Sequence, residues 1–450
     1  MDFLQSVFGF VVAIGVLVTF HEFGHYWVAK RMGVQVLRFS VGFGRPLWQR
    51  QGRDGTVWQL AAIPLGGYVK MLDEREAEVP AELQHRAFNR QSVWARIAIV
   101  AAGPLANFLL ALVFYALVYM LGQPALKPIL GEVMAQTPAA EAGLRAGLEV
   151  RSVDGVPVRS WDELRAQLLE SALGAGEIQL EAARGTDVAQ SYRLGISTLS
   201  REPQQFFDGI GLQPPRVALQ PLLGEVIAQG PAASAGLRSG DRILSLDGQP
   251  VRQWRELVEL VRARPGAQVE VLYSREGLEA RTRVQLQSFS EAGQSYGRLG
   301  AAVAAQPELW QDFVFEYRLG PLQSLLAGAR QTLQMSVLTL KMLGRMVLGE
   351  VSVRNLSGPL SIAEFAGVSA AAGLVTFLGF MALVSVSLGV LNLLPVPVLD
   401  GGHLLYYVIE ALTGAPLPER VQQMGQSIGI ALLLALMSVA LFNDVNRLLS

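Results

Sequence analysis

The stretch FLQSVFGFVVAIGVLVTFHEFGH, residues 3–25, joins a long apolar run to a cluster of polar side chains. Residues 3–20 carry no charge, and about 18 apolar residues are enough to cross the hydrocarbon core as a helix. A cleaved signal peptide is the alternative, but the start lacks a positive charge and no Ala-x-Ala-like site follows. We therefore interpret the run as a retained transmembrane helix that ends in polar residues.

Three further uncharged runs cover residues 97–121, 365–399 and 421–443, which predicts four transmembrane helices. Of the 450 residues, 51% are hydrophobic and only 17% are charged, which is apolar for a soluble protein. The net charge of −1 gives no sign of nucleic-acid binding. The absence of cysteine excludes disulfides and thiolate metal ligands, so any metal must be held by His and carboxylate.

Lysine and arginine indicate how the chain crosses the membrane. None precedes the first run, whereas eleven lie between the first two runs: Lys30, Arg31, Arg38, Arg45, Arg50, Arg53, Lys70, Arg75, Arg86, Arg90 and Arg96. The positive-inside rule then puts this segment in the cytoplasm and the long middle of the chain outside. Residues 331–340 could form a fifth span, but Arg330 and Lys341 bound them, and ten residues make only about 15 Å of helix. We predict a helix on the membrane surface there.

The middle of the chain contains a tandem repeat. Residues 131–164, GEVMAQTPAAEAGLRAGLEVRSVDGVPVRSWDEL, align with residues 224–257, GEVIAQGPAASAGLRSGDRILSLDGQPVRQWREL, and 22 of the 34 positions are identical. Each copy predicts a strand, a helix starting at Pro-Ala-Ala, an Asp-Gly turn, and a helix opening near Trp161 or Trp254. Both resemble bacterial PDZ domains; the first copy departs from the pattern with Leu148 where the second has Asp241. A structural spacer without a ligand groove is the alternative.

His21, Glu22 and His25 form an H-E-x-x-H motif, which on a helix lets both His side chains bind one Zn²⁺ while the Glu acts on water. A polar cluster that only marks the helix end is the alternative. Two His leave a catalytic zinc one ligand short. Asp400 is the better third candidate than His85 or His403, because it falls near the inner end of the third span, at the same predicted depth as His25.

The segment around Asp400, NLLPVPVLDGGH (392–403), contains two prolines that break a helix. Irregular backbone at membrane depth survives only where protein or a water-filled cavity covers it, so this segment should line the active site. Pro395 and Pro397 thus belong to a substrate-positioning element. The Asn392 amide could bind substrate backbone or a developing oxyanion, or it could cap a neighbouring helix.

Together, HEFGH (21–25), GPLAN (103–107) and NLLPVPVLDGG (392–402) resemble the site-2 protease family of intramembrane zinc metalloproteases, in particular its bacterial members with tandem PDZ domains. The resemblance covers nearly the whole chain. It implies a Zn²⁺ on His21, His25 and Asp400, with Glu22 as the catalytic acid/base and Asn392 handling substrate. Asn107 and His403 are further candidates, for contacts that orient the ligands.

The resemblance also implies a role in regulated proteolysis during a stress response. The expected protein is a multi-pass one of the bacterial inner membrane, with its active site near the cytoplasmic side and its PDZ domains in the periplasm. Its expected partners are the lipid bilayer and single-span membrane proteins such as a trimmed anti-sigma factor. Leftover signal peptides are further expected substrates, and the PDZ pair is expected to exclude bulky substrates. A membrane scaffold that only binds peptides and a metal transporter are the rival hypotheses.

Between the first two spans, residues 34–43 alternate in part between apolar and polar side chains. Residues 47–51 and 56–60 flank a Gly52–Gly55 turn, and together these stretches predict hairpin strands. A free edge strand there could pair with an unwound substrate, or the segment could simply pack as a loop. Residues 425–429 match the serine hydrolase pattern G-x-S-x-G, but they open an apolar helix, so we predict small-residue helix packing instead.

The predicted fold is an α-helical membrane protein with four transmembrane helices, a small cytoplasmic β element and two extracytoplasmic PDZ domains. Its segments are 1–30 (first transmembrane helix), 31–95 (cytoplasmic β-rich segment), 96–121 (second transmembrane helix), 122–217 and 218–306 (PDZ domains), 307–370 (extracytoplasmic amphipathic segment), 371–400 (third transmembrane helix), 401–420 (cytoplasmic loop) and 421–445 (fourth transmembrane helix).

Overall fold

In a computed structural model, the structure describes residues 3–172, 176–197, 199, 203–291, 294–349 and 358–449. The chain divides into two units: Met1–Gln123 together with Arg318–Ser450, and Pro124–Tyr317 between them. The first unit holds the apolar helices, and the second holds the repeat. Part of the predicted amphipathic segment, residues 350–357, lies outside the described residues.

The helices are α1 (Phe3–Arg31), α2 (Val93–Leu121), α3 (Pro138–Glu141), α4 (Trp161–Ala172), α5 (Pro203–Ile210), α6 (Pro231–Ser234), α7 (Trp254–Arg262), α8 (Pro321–Val347), α9 (Pro359–Ala371), α10 (Leu374–Leu393), α11 (Asp400–Thr413) and α12 (Glu419–Leu449). The strands are β1 (Val36–Gln51), β2 (Val57–Met71), β3 (Gln123–Leu126), β4 (Glu149–Val153), β5 (Val156–Pro157), β6 (Glu177–Ala183), β7 (Gln190–Gly195), β8 (Leu223–Val226), β9 (Arg242–Leu246), β10 (Gln249–Pro250), β11 (Gln268–Arg275), β12 (Leu278–Gln285), β13 (Gln287–Glu291), β14 (Gln294–Arg298), β15 (Ala301–Val303) and β16 (Val314–Tyr317).

Among the described residues, four helices are long and apolar enough to cross a membrane. They lie at Ser6–Arg31, Val93–Leu121, Leu374–Leu393 and Glu419–Val445. Helices α1, α2 and α10 share one buried apolar core, to which they contribute Leu17, Phe114 and Met381, respectively. Because their apolar residues surround each helix, the side chains that do not pack inward remain available for lipid.

Two sequence predictions about helices in this unit are wrong. The third long helix ends at Leu393 instead of reaching residue 400, because Pro395 and Pro397 cannot continue it. Residues 401–420, predicted as a loop, begin with α11, which starts at Asp400 and ends before Gly414. Asp400 therefore opens a new helix and does not close the span.

The amphipathic helix α8 is also longer than predicted. Its 27 residues would span about 40 Å, so the length argument against a fifth crossing does not hold. Composition still sets it apart, because Arg330, Lys341 and Arg345 interrupt its apolar side chains. Part of its length packs beside α2 and α10, with Met335 and Leu343 against their shared core.

The segment between α1 and α2 forms the predicted hairpin. In its register Phe39 lies opposite both Val69 and Trp58. Each of the two long strands therefore bends, and its two halves form separate strands of one small sheet. The turn is tied to α1, because Asp54 accepts a hydrogen bond from Tyr26 and pairs with Lys30 at 3.0 Å. Partial burial would raise the pKa of Asp54, but the hydrogen bond from Lys30 holds that pKa well below its usual range.

The repeat in the second unit folds twice in the same way. The sheet orders β5-β4-β6-β7 and β10-β9-β11-β12 correspond strand for strand, and α4 and α7 begin at Trp161 and Trp254 as predicted. In β6 and β11 every second side chain is buried, which is the period of a strand with one face on a core. The two copies are thus duplicated sheet-and-helix domains.

The difference between Leu148 and Asp241 has a structural account. Asp241 is buried and accepts hydrogen bonds from the Arg275 guanidinium at 2.7 and 2.8 Å and from the Arg238 backbone at 2.7 Å. Burial would raise the pKa of Asp241, but the hydrogen bond from Arg275 keeps that pKa below its usual range. In the first copy, Leu148 packs against the apolar core instead. The first copy thus has apolar contacts where the second has a buried carboxylate paired with a partly exposed arginine.

Candidate metal centre

Three side chains converge within the first unit: His21 and His25 from α1, and Asp400 from the start of α11. Asp400 Oδ2 lies 3.2 Å from His21 Nε2 and 3.5 Å from His25 Nε2, and the two Nε2 atoms are 3.3 Å apart. Bonds of about 2.0–2.1 Å to one tetrahedral ion separate its ligand atoms by about 3.3 Å, so this spacing fits zinc. Asp400 Oδ2 is buried without a hydrogen-bond partner, which also fits a cation ligand.

Both His rings are held through their other nitrogen by α2. His25 Nδ1 donates to the Ile99 carbonyl at 2.8 Å, which leaves Nε2 with a free lone pair for a metal. His21 Nδ1 lies 3.2 Å from the Asn107 amide nitrogen. Asn107 is fully buried and its Oδ1 lacks a partner; turning the amide over would let Oδ1 accept from His21 Nδ1 and satisfy both groups. The Asn107 amide thus lies against the His21 ring nitrogen that does not face Asp400, the position that an orienting contact would take.

Gly103 on α2 leaves room for the cluster. A Cβ atom at this position would lie 2.2 Å from His25 Nε2 and 2.8 Å from His21 Cε1. Any larger residue would fill the space in front of the two ligand nitrogens. The GPLAN motif thus combines a gap at Gly103 with an amide at Asn107 that contacts His21.

The backbone before Asp400 is irregular and strained. Val398 has a φ of 137°, a region that a β-branched residue rarely adopts. Strain of this kind persists only where surrounding contacts hold it, and it often accompanies functional sites. The segment 394–399 thus presents Asp400 to the two His from a conformation that packing must maintain.

Glu22 lies beside the second strand of the hairpin. A Cβ added at Gly67 would lie 3.0 Å from Glu22 Cγ, so the strand lies directly against the Glu22 side chain. Residues 67–71 pair on one side with residues 36–41, and within the described residues they have no second strand partner. A strand edge without a second partner among these residues therefore runs past the Glu22 side chain.

The remaining predicted residues lie on α10, on the segment between α10 and α11, and on α11. Asn392 is half-buried in the last turn of α10, and Pro395 is exposed. Pro397 packs against α12, where a Cβ at Gly429 would meet its carbonyl oxygen at 2.0 Å. His403 is exposed, and its ring contacts Tyr406 edge-on.

Sequence reasoning missed two contributors to this site. The Ile99 carbonyl has no sequence signal, because any residue supplies a carbonyl. Gly103 had a signal in GPLAN, but the motif does not say which neighbour needs the space. Both contributions depend on the packing of α1 against α2, which no local sequence pattern specifies.

Two His four residues apart on an apolar helix, an adjacent Glu and a distant Asp define a metal-dependent hydrolase site within a membrane protein. A family model for "Peptidase family M50" matches residues 9–436, and the chain belongs to that family. It is 43% identical to the regulator of sigma-E protease RseP of Salmonella typhimurium and to that of Escherichia coli, with all of both chains covered.

A putative zinc metalloprotease of Vibrio cholerae is 42% identical, with 99% of this chain and all of the relative covered. Among solved structures, the PDZ domain of an SdrC-like protein from Listeria monocytogenes covers 20% of this chain and 92% of its own, at 18% identity and a TM-score of 0.17. Family and relatives confirm the predicted enzyme class: the chain is an intramembrane protease that depends on zinc.

Proposed function

We propose that this protease cleaves single-span membrane proteins at a zinc site formed by His21, His25 and Asp400. The observation that carries the proposal is the mutual spacing of the three ligand atoms, 3.2 to 3.5 Å, at the end of a helix long enough to cross a membrane. Ionisable groups at such a position are costly and normally serve a function. A zinc ion held by these residues would supply a Lewis acid, which would polarise the peptide carbonyl and make water a better nucleophile.

Glu22 is the proposed acid/base. It follows His21 directly and precedes His25 by three residues on α1, so its side chain neighbours that of His25 on the helix surface and stays near the ligands. In this role Glu22 takes a proton from the attacking water and delivers it to the amine that leaves. Asn392 and the segment with Pro395 and Pro397 are proposed to position the substrate backbone.

The substrate is proposed to bind as an extended strand. A helical peptide bond is shielded by its own turn, so a transmembrane substrate must unwind before water can attack it. The open edge at residues 67–71 could accept the unwound backbone by strand addition and hold it beside Glu22. This arrangement joins substrate binding and catalysis in one place.

The proposed orientation follows from the basic segment between α1 and α2, which favours a cytoplasmic location beside the active site. The PDZ pair then stands on the periplasmic side of the bacterial inner membrane and excludes substrates with bulky outer domains. An anti-sigma factor already trimmed by another protease, or a remnant signal peptide, fits such an enzyme. The name of the relatives, regulator of sigma-E protease, supports this substrate class.

The test replaces Glu22 by Gln and measures both cleavage of a model transmembrane peptide and bound zinc. We expect Glu22→Gln to lose cleavage while it keeps near-stoichiometric zinc, because Glu22 is a proton carrier and not a ligand. His21→Ala is the matched control and should lose both. Near-normal cleavage by Glu22→Gln would remove Glu22 from the mechanism, and full zinc in His21→Ala would refute the metal site.

A further inference from the structure

An ion pair between Arg96 and Glu410 joins α2 to the far end of α11. The two guanidinium nitrogens donate to the two carboxylate oxygens at 3.1 and 2.6 Å, a bidentate arrangement. Both side chains are largely buried, with 13% and 16% of their surfaces exposed. The Arg96 guanidinium also lies over the Tyr407 ring, 4.8 Å from its centre. This burial separates the pair from ordinary surface ion pairs.

The two helices joined by this pair each contribute to the metal centre. Helix α2 carries the Ile99 carbonyl, which holds His25, and Asn107, which holds His21. Helix α11 begins with Asp400 and carries Glu410 ten residues later, about 15 Å along its axis. The ion pair therefore connects the element that orients two ligands to the element that presents the third.

Besides this pair, aromatic side chains hold α11: Tyr407 packs edge-on against Phe88, and the Tyr406 hydroxyl lies close to Gly425 of α12. The segment before it contains two prolines and the strained Val398, so it does not continue the axis of α10. Of the side chains on α11, Tyr407 is buried in an apolar cluster, whereas Leu405, Val408 and Leu412 are exposed. A tilt of α11 about the buried Tyr407 would move Asp400, at the start of the helix, away from the two His.

We propose that Arg96 and Glu410 are positioning residues that set the direction of α11 and so align Asp400 with His21 and His25. The inference rests on the proposed metal site and adds to it a pair that contacts neither metal nor substrate. Contacts that orient metal ligands typically contribute about 10- to 100-fold to metal affinity. Loss of this pair should lower zinc affinity by about tenfold.

The experiment measures zinc retention of the full-length protein in detergent against a graded series of chelator concentrations. The variants are Glu410→Gln, which keeps the shape and removes the charge, and the reversed pair R96E/E410R. Glu74→Gln is the matched control, because it breaks another Arg–Glu pair, with Arg90, outside α11. Thermal unfolding of the zinc-loaded proteins is recorded alongside, and cleavage is measured with and without added zinc.

We expect Glu410→Gln to lose its zinc at a chelator concentration about tenfold lower than the wild type does. Added zinc should restore most of its cleavage activity. The reversed pair should recover most of the affinity, and Glu74→Gln should match the wild type. A pair that only stabilises the fold would lower the unfolding temperature without changing zinc retention, and that result would overturn the inference. So would a reversed pair as weak as Glu410→Gln.

If Glu410→Gln does not fold, Arg96→Lys is measured in its place, because lysine keeps the positive charge but loses the bidentate contact. Wild-type zinc retention in Arg96→Lys would then overturn the inference. His21→Ala distinguishes failure of the proposed metal site from failure of the proposed positioning role. If His21→Ala keeps zinc, the proposed metal site is wrong; if it loses zinc while Glu410→Gln retains it, only the positioning role is wrong.

Discussion

At the scale of single residues, Asp400 is the proposed metal ligand, and His403, a residue that could also bind a metal, is not. They lie one helical turn apart in α11, and either could bind a metal by type. Asp400 Oδ2 faces both Nε2 atoms, whereas His403 is exposed against Tyr406. Position relative to α1, and not residue type, decides between them.

We expect Asp400→Ala to reduce zinc affinity and cleavage by more than about a hundredfold, because a ligand should matter more than the contacts that orient ligands. His403→Ala should reduce either by less than about tenfold. Zinc content after dialysis and cleavage of one transmembrane substrate would be measured for both. The opposite ranking would mean that the third ligand has been misassigned.

At the scale of elements, helix α12 supports the segment that leads to Asp400. Its residues Gly425 and Gly429 lie against Pro397, which confirms the prediction that the G-x-S-x-G match reflects helix packing. At its other end, Asp444 accepts hydrogen bonds from Ser361 and from backbone N–H groups at the start of α9. Helix α12 thus contacts the metal-site loop near one end and α9 near the other.

A methyl group at Gly429 should disturb this support. It would lie 2.0 Å from the Pro397 carbonyl oxygen, so the helix or the loop must move by more than about 1 Å. A displacement of that size near a catalytic group can reduce the rate by about a hundredfold, and we expect Gly429→Ala to lose at least about tenfold in cleavage.

The control is Gly379→Ala on α10, where an added methyl meets nothing within 4 Å. Cleavage rates would be compared at equal amounts of folded protein in the same membranes. Equal rates for the two variants would show that α12 does not hold the loop in its active conformation.

At the scale of the whole molecule, the PDZ pair is inserted between α2 and α8. Strands β3 and β16 pair where the chain enters and leaves this unit, and the Lys127 backbone donates to the Phe313 carbonyl at 2.7 Å. The two ends of the inserted unit are therefore adjacent. The repeat can be removed without stretching the chain between them.

We expect deletion of residues from about 127 to 306 to leave zinc binding intact and to permit cleavage of untrimmed substrates. The physical reason is the proposed size filter: a bulky outer domain should clash with the PDZ pair, while a trimmed substrate passes. The measurement compares trimmed and untrimmed forms of one substrate with full-length and shortened enzyme in membranes. Equal loss of cleavage for both forms would indicate recruitment of substrate by the PDZ domains instead.

Several features of this protein could be predicted from the sequence alone, because their signals are local. The apolar runs, the H-E-x-x-H spacing, the duplicated Asp-Gly turns and the hairpin strands each depend on residues close together in the chain. Because Asp400 and His25 were predicted to lie at the same membrane depth, Asp400 could be grouped with the two His although 375 residues separate it from His25. The enzyme class and the metal followed from these signals.

Other features depended on tertiary contacts. The end of α10 at Leu393 and the start of α11 at Asp400 needed the folded loop, because two prolines indicate that a helix breaks but not which element comes after the break. The Ile99 carbonyl and the gap at Gly103 matter only because α1 and α2 pack side by side. Such contacts join residues that are distant in the chain, and no local pattern records which backbone atoms or empty spaces will meet a ligand.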